Sequence, residues 1–585
     1  MLLEKNRDRA GREYFLEIIL SFLLLAAVGA VFLYEPAMYD AGSYYMPWHG
    51  SRMMECLVLG FGVLLGMQIR KQLPDFYGRI SGGREKKITL YPMYLFLSLA
   101  GGYAVYQPDC FSKYYNLYHS DAYFHSIYRV LQLQPYTEAN TGVYGFYGLI
   151  AAPFVKLLGG DFKACAVFLA LLASASILCL FYVLENLVET MWLRLAGGIL
   201  IVNLYVALTS HIYYQLIPHR IVFVAFVLAY CVWMHKNDRL QAKWQIAGFV
   251  LLVLSVIWNM ETGIACLTAY VGSCVVRSLQ NGSVFSKETI KKILLAVLMI
   301  PAVPAAAFFS VGLYDLCVSG SFITGRAFLY PFVGTSYVGK LNIALETKLA
   351  AWMLVCLLFF VMVSIVLIST SLCGRSGKTS KKELYLTACV IAAAVQMVYY
   401  INRAVYGNLY IVLPVCSILL AYLGDSLLHK NIWKNHFIGN GALRAVCTTS
   451  CVLLGLLALQ TIIAYFPAEK ERSENRDMEE LTAFIESVRE GVPEDTPAIG
   501  IGISELYSFL GWDSGYYGSD IPDLVSATEE GQAYAKEFVL NSESILINES
   551  NLGDIVGDEE EFYLDYELVA QYSYGESVYS LYSRK

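Results

Sequence analysis

The sequence predicts a polytopic α-helical membrane protein with an α/β domain at its C-terminal end. Three observations support this prediction. Hydrophobic residues make up 57% of the 585-residue chain and charged residues only 16%, whereas soluble proteins have about 25% charged residues. Long apolar runs recur along the first 466 positions. The remaining residues, 467–585, contain no such run and are rich in acidic side chains.

About thirteen apolar runs are predicted to cross a membrane, because a spanning helix needs about 20 apolar residues. The runs occupy 14–34, 53–69, 88–107, 162–184, 192–209, 217–234, 244–258, 262–276, 293–314, 349–371, 384–401, 405–424 and 442–466. Together they define a predicted multi-span catalytic domain at 1–466.

The distribution of basic residues predicts an integral plasma membrane protein with a cytoplasmic N-terminus. Lys and Arg favour cytoplasmic loops, and this orientation gives 23 basic residues to the inner loops and 9 to the outer loops. Two long outer loops follow, at 108–161 and 315–348. The segment 142–158 contains glycines and a proline, so we interpret it as an interfacial helix and not as a span.

Residues 467–585 are predicted to be a separate extracytoplasmic α/β domain. The helical pattern "DMEELTAFIESVRE" is followed by the strand patterns "AIGIGI" and "SILIN" and by a terminal hairpin pattern, "YELVAQYSYG" and "VYSLYSR". The region holds 27 acidic and 7 basic residues, which does not suit a nucleic-acid partner.

A polar, aromatic stretch at 118–148 lies within the first long outer loop. Asp121, His125 and Tyr128 stand at i, i+4 and i+7, so a helix would place them on one face. A carboxylate there can accept a proton from a substrate hydroxyl. The alternative for Asp121 is a helix cap, and the aromatic rings suit either sugar stacking or the membrane interface.

The same stretch offers a weaker candidate metal site. His119, Asp121 and His125 could supply three ligands, since an i, i+4 pair on a helix can chelate. Nothing else in the sequence completes a known ligand pattern. We expect no metal cofactor, with a divalent cation at these residues as the alternative.

Further charged residues lie at the predicted outer ends of spans, where burying charge in lipid is costly and usually has a reason. They are His219, Arg220, Glu261, Arg326 and Arg403. A guanidinium group pairs a phosphate bidentately, although any single arginine is explained as well by snorkelling. Their grouping on one side favours a phosphate-bearing substrate.

The order of these motifs resembles the GT-C superfamily of membrane glycosyltransferases, including the protein mannosyltransferases and aminoarabinose transferases. The resemblance rests on "SDAYFHSIYRVL", then "QPYTEA", then "YGFYGLIAAPFVKLLGG", which is similar to the family's aromatic–Gly–Pro segment. It covers most of 88–585 and includes a late outer loop and a terminal external domain.

The resemblance implies an inverting sugar transfer on the outer membrane face. The donor would be a polyprenyl-phosphate-linked sugar among the membrane lipids, and the acceptor a glycan, lipid or protein of the cell envelope. Asp121 matches the family's loop acid and would be the general base. His125 and Tyr128, with the charged residues at the span ends, would bind substrate.

The sequence also departs from the family's pattern. The family often has a second acid beside the first, but Ala122 follows Asp121 here. The acid-bearing loop usually follows the first span, whereas here it follows the third. Asp40, in the first outer loop, is therefore a second candidate for the base.

Two other functions remain open from the sequence alone. A transporter or flippase of a lipid-linked precursor suits the polytopic shape, although such proteins often show internal repeats and charges near the bilayer midplane. A non-catalytic binding protein with a GT-C-like fold would suit the missing second acid.

Overall fold

The structure is a computed structural model of the whole chain. The description covers residues 91–106, 126–137, 144–160, 162–209, 216–238, 242–280, 286–329, 381–402, 408, 410–429, 478–491, 498–501 and, with short gaps, 533–585.

Helices dominate the described part of the first 466 residues, because long apolar runs leave few alternatives for backbone hydrogen bonding. They are α1 Tyr91–Val105, α2 Gly148–Leu157, α3 Phe162–Leu187, α4 Met191–Thr209, α5 His219–Lys236, α6 Ala242–Trp258, α7 Met260–Gln280, α8 Lys287–Ser319, α9 Gly325–Phe328, α10 Lys381–Asn402 and α11 Leu413–His429. A short helical segment also occupies 126–131.

Nine predicted spans coincide with described helices, although the helix bounds differ by a few residues. The other four, at 14–34, 53–69, 349–371 and 442–466, lie outside the described residues. Within the described residues, α3, α5, α7 and α8 are long and apolar enough to cross a membrane. The ten-residue α2 is about 15 Å long, and the interpretation of 142–158 as an interfacial helix remains a prediction.

The helices pack as a bundle in which glycines permit close approach. The helix α7 packs along α10, and α1 packs against both α3 and α4. At Gly102 of α1, an ideal Cβ would lie 2.7 Å from the Ala170 carbonyl oxygen of α3. Only a residue without a side chain allows the two backbones to approach this closely.

Contacts at the helix ends define two ends of the bundle. Segments 126–137 and 144–147 lie at one, which we call the loop end. The opposite, basic end contains Asp238, whose carboxylate accepts hydrogen bonds from Arg277 Nη2 at 2.8 Å and Lys381 Nζ at 2.6 Å. The bond from Lys381 is the main cause of the lowered pKa of Asp238.

The described residues of 478–585 form helices and a four-stranded sheet. Helix α12 is Met478–Gly491, and the strands are β1 Ala498–Ile501, β2 Ser544–Asn548, β3 Tyr566–Tyr574 and β4 Ser577–Arg584. The sheet order is β1-β2-β4-β3, with β1 and β2 parallel and the other pairs antiparallel. Helix α12 packs on β3 and β4. These elements lie where the sequence predicts them, and the external location of the region remains a prediction.

Candidate functional site at the loop end

The backbone carbonyl of Tyr144 joins three parts of the chain at the loop end. It accepts hydrogen bonds from His219 Nε2 and Asn259 Nδ2, both at 3.0 Å. Because a carbonyl oxygen only accepts, the His219 ring carries a proton on Nε2. The next residue, Gly145, has a φ of 113°, and an ideal Cβ there would lie 2.4 Å from the Trp258 carbonyl oxygen. A glycine is therefore required at this contact.

The start of α5 is held by aromatic neighbours. Trp258 Nε1 donates to the His219 carbonyl at 2.8 Å. The His219 ring lies edge-on to Tyr147, with 4.7 Å between ring centroids, and 5.2 Å from the Trp258 ring. His219 is fully buried, so its ring forms part of the wall of the site.

Arg220 forms an ion pair with Glu261 of α7. Its Nη2 and Nε both donate to Glu261 Oε2, at 2.9 and 3.3 Å. The guanidinium carbon lies 4.1 Å from the centre of the Tyr399 ring and 5.8 Å from that of Tyr144, so the cation is also held by aromatic faces. The Arg220 side chain is 5% exposed and that of Glu261 is 26% exposed.

The residues at the start of α7 explain how the position of Glu261 is fixed. Asn259 caps α7, since its Oδ1 accepts from the Thr262 backbone N–H at 2.9 Å. Glu261 lies in the first turn, where the helix dipole favours a carboxylate. On the other side, Gln396 Nε2 of α10 donates to the Arg220 carbonyl at 3.2 Å. We call Tyr144, Arg220, Asn259, Glu261 and Tyr399 the Arg220 cluster.

A second polar contact fixes segment 126–137 to α8. Asp315 Oδ1 accepts a hydrogen bond from the Tyr136 backbone N–H at 3.0 Å, and Tyr314 Oη donates to the Gln134 carbonyl at 2.9 Å. Arg129 is fully buried, with its guanidinium carbon 4.9 Å from the centre of the Tyr136 ring. Its charge also acts on Asp315. Burial raises the pKa of Tyr136, so its hydroxyl stays protonated.

Three predicted site residues therefore meet in or beside one cluster: His219, Arg220 and Glu261. Tyr128 lies on the short helix 126–131, where it is buried and its hydroxyl accepts from Gln132 Nε2 at 3.2 Å. Arg326 is exposed on α9. The ion pair of Glu261 is formed with Arg220.

Four predicted site residues, Asp40, Asp121, His125 and Arg403, lie outside the described residues. The candidate metal ligand His119 does as well. Within the described part of the chain, no three His, Cys, Asp or Glu side chains are grouped in a way that could hold a metal ion.

Sequence reasoning missed several residues that build the site, namely Arg129, Tyr144, Asn259, Asp315 and Tyr399. Two of them left a signal. The "NMET" run resembles a helix N-cap followed by an acidic first turn, which would single out Asn259. Asp315 is an acid that directly follows the apolar run 293–314, and a charge at such a position usually has a functional or structural reason.

Comparison with known proteins gives a likeness of fold. No protein-family model and no curated protein matches the sequence. Among solved structures, the chain is similar to ArnT from Cupriavidus metallidurans bound to undecaprenyl phosphate, with a TM-score of 0.50 and 11% identity over 84% of this chain and 97% of that one. The apo state of the same ArnT gives a TM-score of 0.48 with the same identity and coverage.

The two proteins share a fold. The predicted fold class is thereby confirmed at the coarse level of a helical fold like that of ArnT, with described helices long and apolar enough to cross a membrane. The number of spans, the orientation and the domain boundaries remain predictions.

Proposed function

We propose that this protein is an inverting glycosyltransferase of the outer membrane face. It would move a sugar from a polyprenyl-phosphate-linked donor to a glycan, lipid or protein acceptor of the cell envelope. The observation that carries this proposal is the fold shared with ArnT, which was solved with undecaprenyl phosphate bound.

The reaction assigns distinct roles to the predicted residues. The acceptor hydroxyl attacks the anomeric carbon of the donor sugar and gives its proton to Asp121. The bond from that carbon to the phosphate oxygen breaks, and the phosphate leaves with the electron pair. Arg403 and Arg326 are the proposed cations that stabilise the negative charge developing on the phosphate.

The Arg220 cluster supports this proposal because it is a rigid polar site at the end of an apolar bundle. Within it, Arg220 forms an ion pair with Glu261. Burying charges at the end of an apolar bundle is costly, so such residues are candidates for a functional site.

The test of the proposal is the Asp121→Asn variant, assayed in membranes with labelled undecaprenyl-phosphate sugars. Loss of the general base should lower the transfer rate by about 10²–10⁴-fold. Asp109→Asn, in the same predicted loop, is the matched control and should keep its activity. Asp40→Asn distinguishes the second candidate for the base.

Two results would contradict the proposal. If Asp121→Asn and Asp40→Asn both retain normal transfer, neither acid is the base. If the protein moves the lipid across proteoliposomes without consuming donor, it is a flippase.

A further inference from the structure

We propose that Glu261 recognises hydroxyl groups of the donor sugar and that Arg220 is the residue that positions it. This inference rests on the proposed function and assigns the recognition of one part of its substrate. It changes the expected role of Arg220, which the sequence had indicated as a phosphate-binding cation.

Two donor atoms of Arg220 are directed at Glu261. Both Nη2 and Nε donate to the same oxygen, Oε2, and the guanidinium lies against the Tyr399 ring. With 5% of the side chain exposed, a phosphate could replace Glu261 only by breaking this ion pair. The arrangement suits a guanidinium that holds a carboxylate in place.

Glu261 is the more exposed member of the pair, with 26% of its side chain accessible. Within the described residues, its contacts involve Oε2, which leaves Oε1 able to accept another hydrogen bond. An ionised carboxylate is an acceptor only, so it matches a hydroxyl donor and repels a phosphate. Sugar hydroxyls are the part of a lipid-phosphate sugar with this chemistry.

The position of Glu261 is fixed before any substrate binds. Asn259 caps the helix turn that carries Glu261, and the same Asn259 side chain also donates to the Tyr144 carbonyl. A preorganised acceptor loses little entropy on binding, and this favours specific recognition.

The experiment compares two lipids, undecaprenyl phosphate and undecaprenyl phosphate carrying a hexose or pentose, and measures the dissociation constant of each in detergent. The wild type should bind the sugar-bearing lipid more tightly. Glu261→Gln should weaken binding of the sugar-bearing lipid about tenfold, because the charge-assisted hydrogen bond is lost. Binding of the sugar-free lipid should change less than twofold. Arg220→Lys should have the same selective effect, since it keeps the charge and loses the two-point hold on Glu261.

Glu185→Gln is the matched control. Glu185 pairs with Arg194 in a similarly buried ion pair, and Tyr94 Oη donates to Glu185, at the basic end of the bundle. This variant should lower stability while leaving the ratio of the two dissociation constants unchanged. If Glu261→Gln does not fold, Glu261→Asp tests the same point, since the shorter carboxylate should also reduce the ratio.

The outcomes separate the inference from the proposed function. A wild type that binds neither lipid contradicts the proposed function. A wild type that prefers the sugar-bearing lipid, with an unchanged ratio in Glu261→Gln, contradicts the inference alone. If Glu261→Gln or Arg220→Lys weakens the binding of both lipids equally, the inference is also overturned, because the pair would then contact the phosphate.

Discussion

Asp315 holds a loop through a single buried carboxylate. It lies near the end of α8 and is 1% exposed, and its Oδ1 accepts from the backbone of Tyr136. Its Oδ2 has no hydrogen-bond partner within the described residues. A buried carboxyl group needs compensation, and the Tyr136 N–H supplies part of it. Segment 126–137, which directly follows the predicted base-bearing stretch, is thus tied to α8.

Replacing Asp315 with Ala should therefore loosen this segment. The Tyr136 N–H would be left buried without its acceptor, which costs about 1–3 kcal/mol. We expect a lower thermal midpoint in detergent and faster hydrogen exchange in peptides covering 132–137. Glu288→Ala, which removes an exposed carboxylate of the same helix, is the control and should change neither. Unchanged exchange at 132–137 in Asp315→Ala would show that other contacts hold the segment.

The residues of the site were only partly predictable from sequence. Arg220 and Glu261 stand out because a charge beside or within a predicted span is costly to bury in lipid and usually has a reason. Their pairing was not predictable, since 41 positions separate them and only the packing of α5 on α7 brings them together. Tyr144 contacts His219 through its backbone carbonyl. Every residue has this group, so the identity of the side chain could not reveal the contact.

At the scale of elements, the apolar runs predicted where helices lie better than where they begin and end. The run 293–314 is the apolar centre of α8, which extends from Lys287 to Ser319. Ser286 caps its start by accepting from the Thr289 N–H at 3.1 Å, and Gly320, with a φ of 76°, follows its end. Hydropathy alone does not detect such polar caps, whereas capping rules do.

Gly102 tests the packing of α1 on α3. In addition to its approach to the Ala170 carbonyl, an ideal Cβ at this position would lie 1.9 Å from Ser174 Oγ. Gly102→Ala should therefore force the helices apart and lower stability by about 1–3 kcal/mol, measured as a shift in the thermal midpoint. Gly325→Ala is the control, because nothing lies within 4 Å of its ideal Cβ. Equal stability of the two variants would contradict the close packing.

At the scale of the whole molecule, contacts at the helix ends give the directions of α8 and α10 in the bundle. Contacts place the ends of α8 and α10 at the loop end, through Asp315 and Tyr399. The start of α10 is at the basic end, where Lys381 meets Asp238. The sequence predicts one span between α8 and α10, at 349–371, which lies outside the described residues.

The basic end should face the cytoplasm, and this orientation can be tested by cysteine labelling. Lys156 is exposed on α2 at the loop end, and Lys243 is exposed at the start of α6, at the basic end. In intact cells, a membrane-impermeant maleimide should label Lys156→Cys, whereas Lys243→Cys should react only after permeabilisation. The parent should carry Cys110→Ser, Cys317→Ser and Cys373→Ser, since these cysteines belong to predicted loops and would otherwise react with the maleimide.

The physical reason is the cost of moving Lys and Arg across the bilayer, which retains basic loops in the cytoplasm. The ion pairs at the basic end do not cancel its positive charge. Around Asp238, two basic residues, Arg277 and Lys381, share one acid. The reverse labelling pattern would place Glu261 and the whole Arg220 cluster on the cytoplasmic side. Sugar transfer at the outer face would then be impossible at this site, so the labelling tests the proposed function independently of any activity assay.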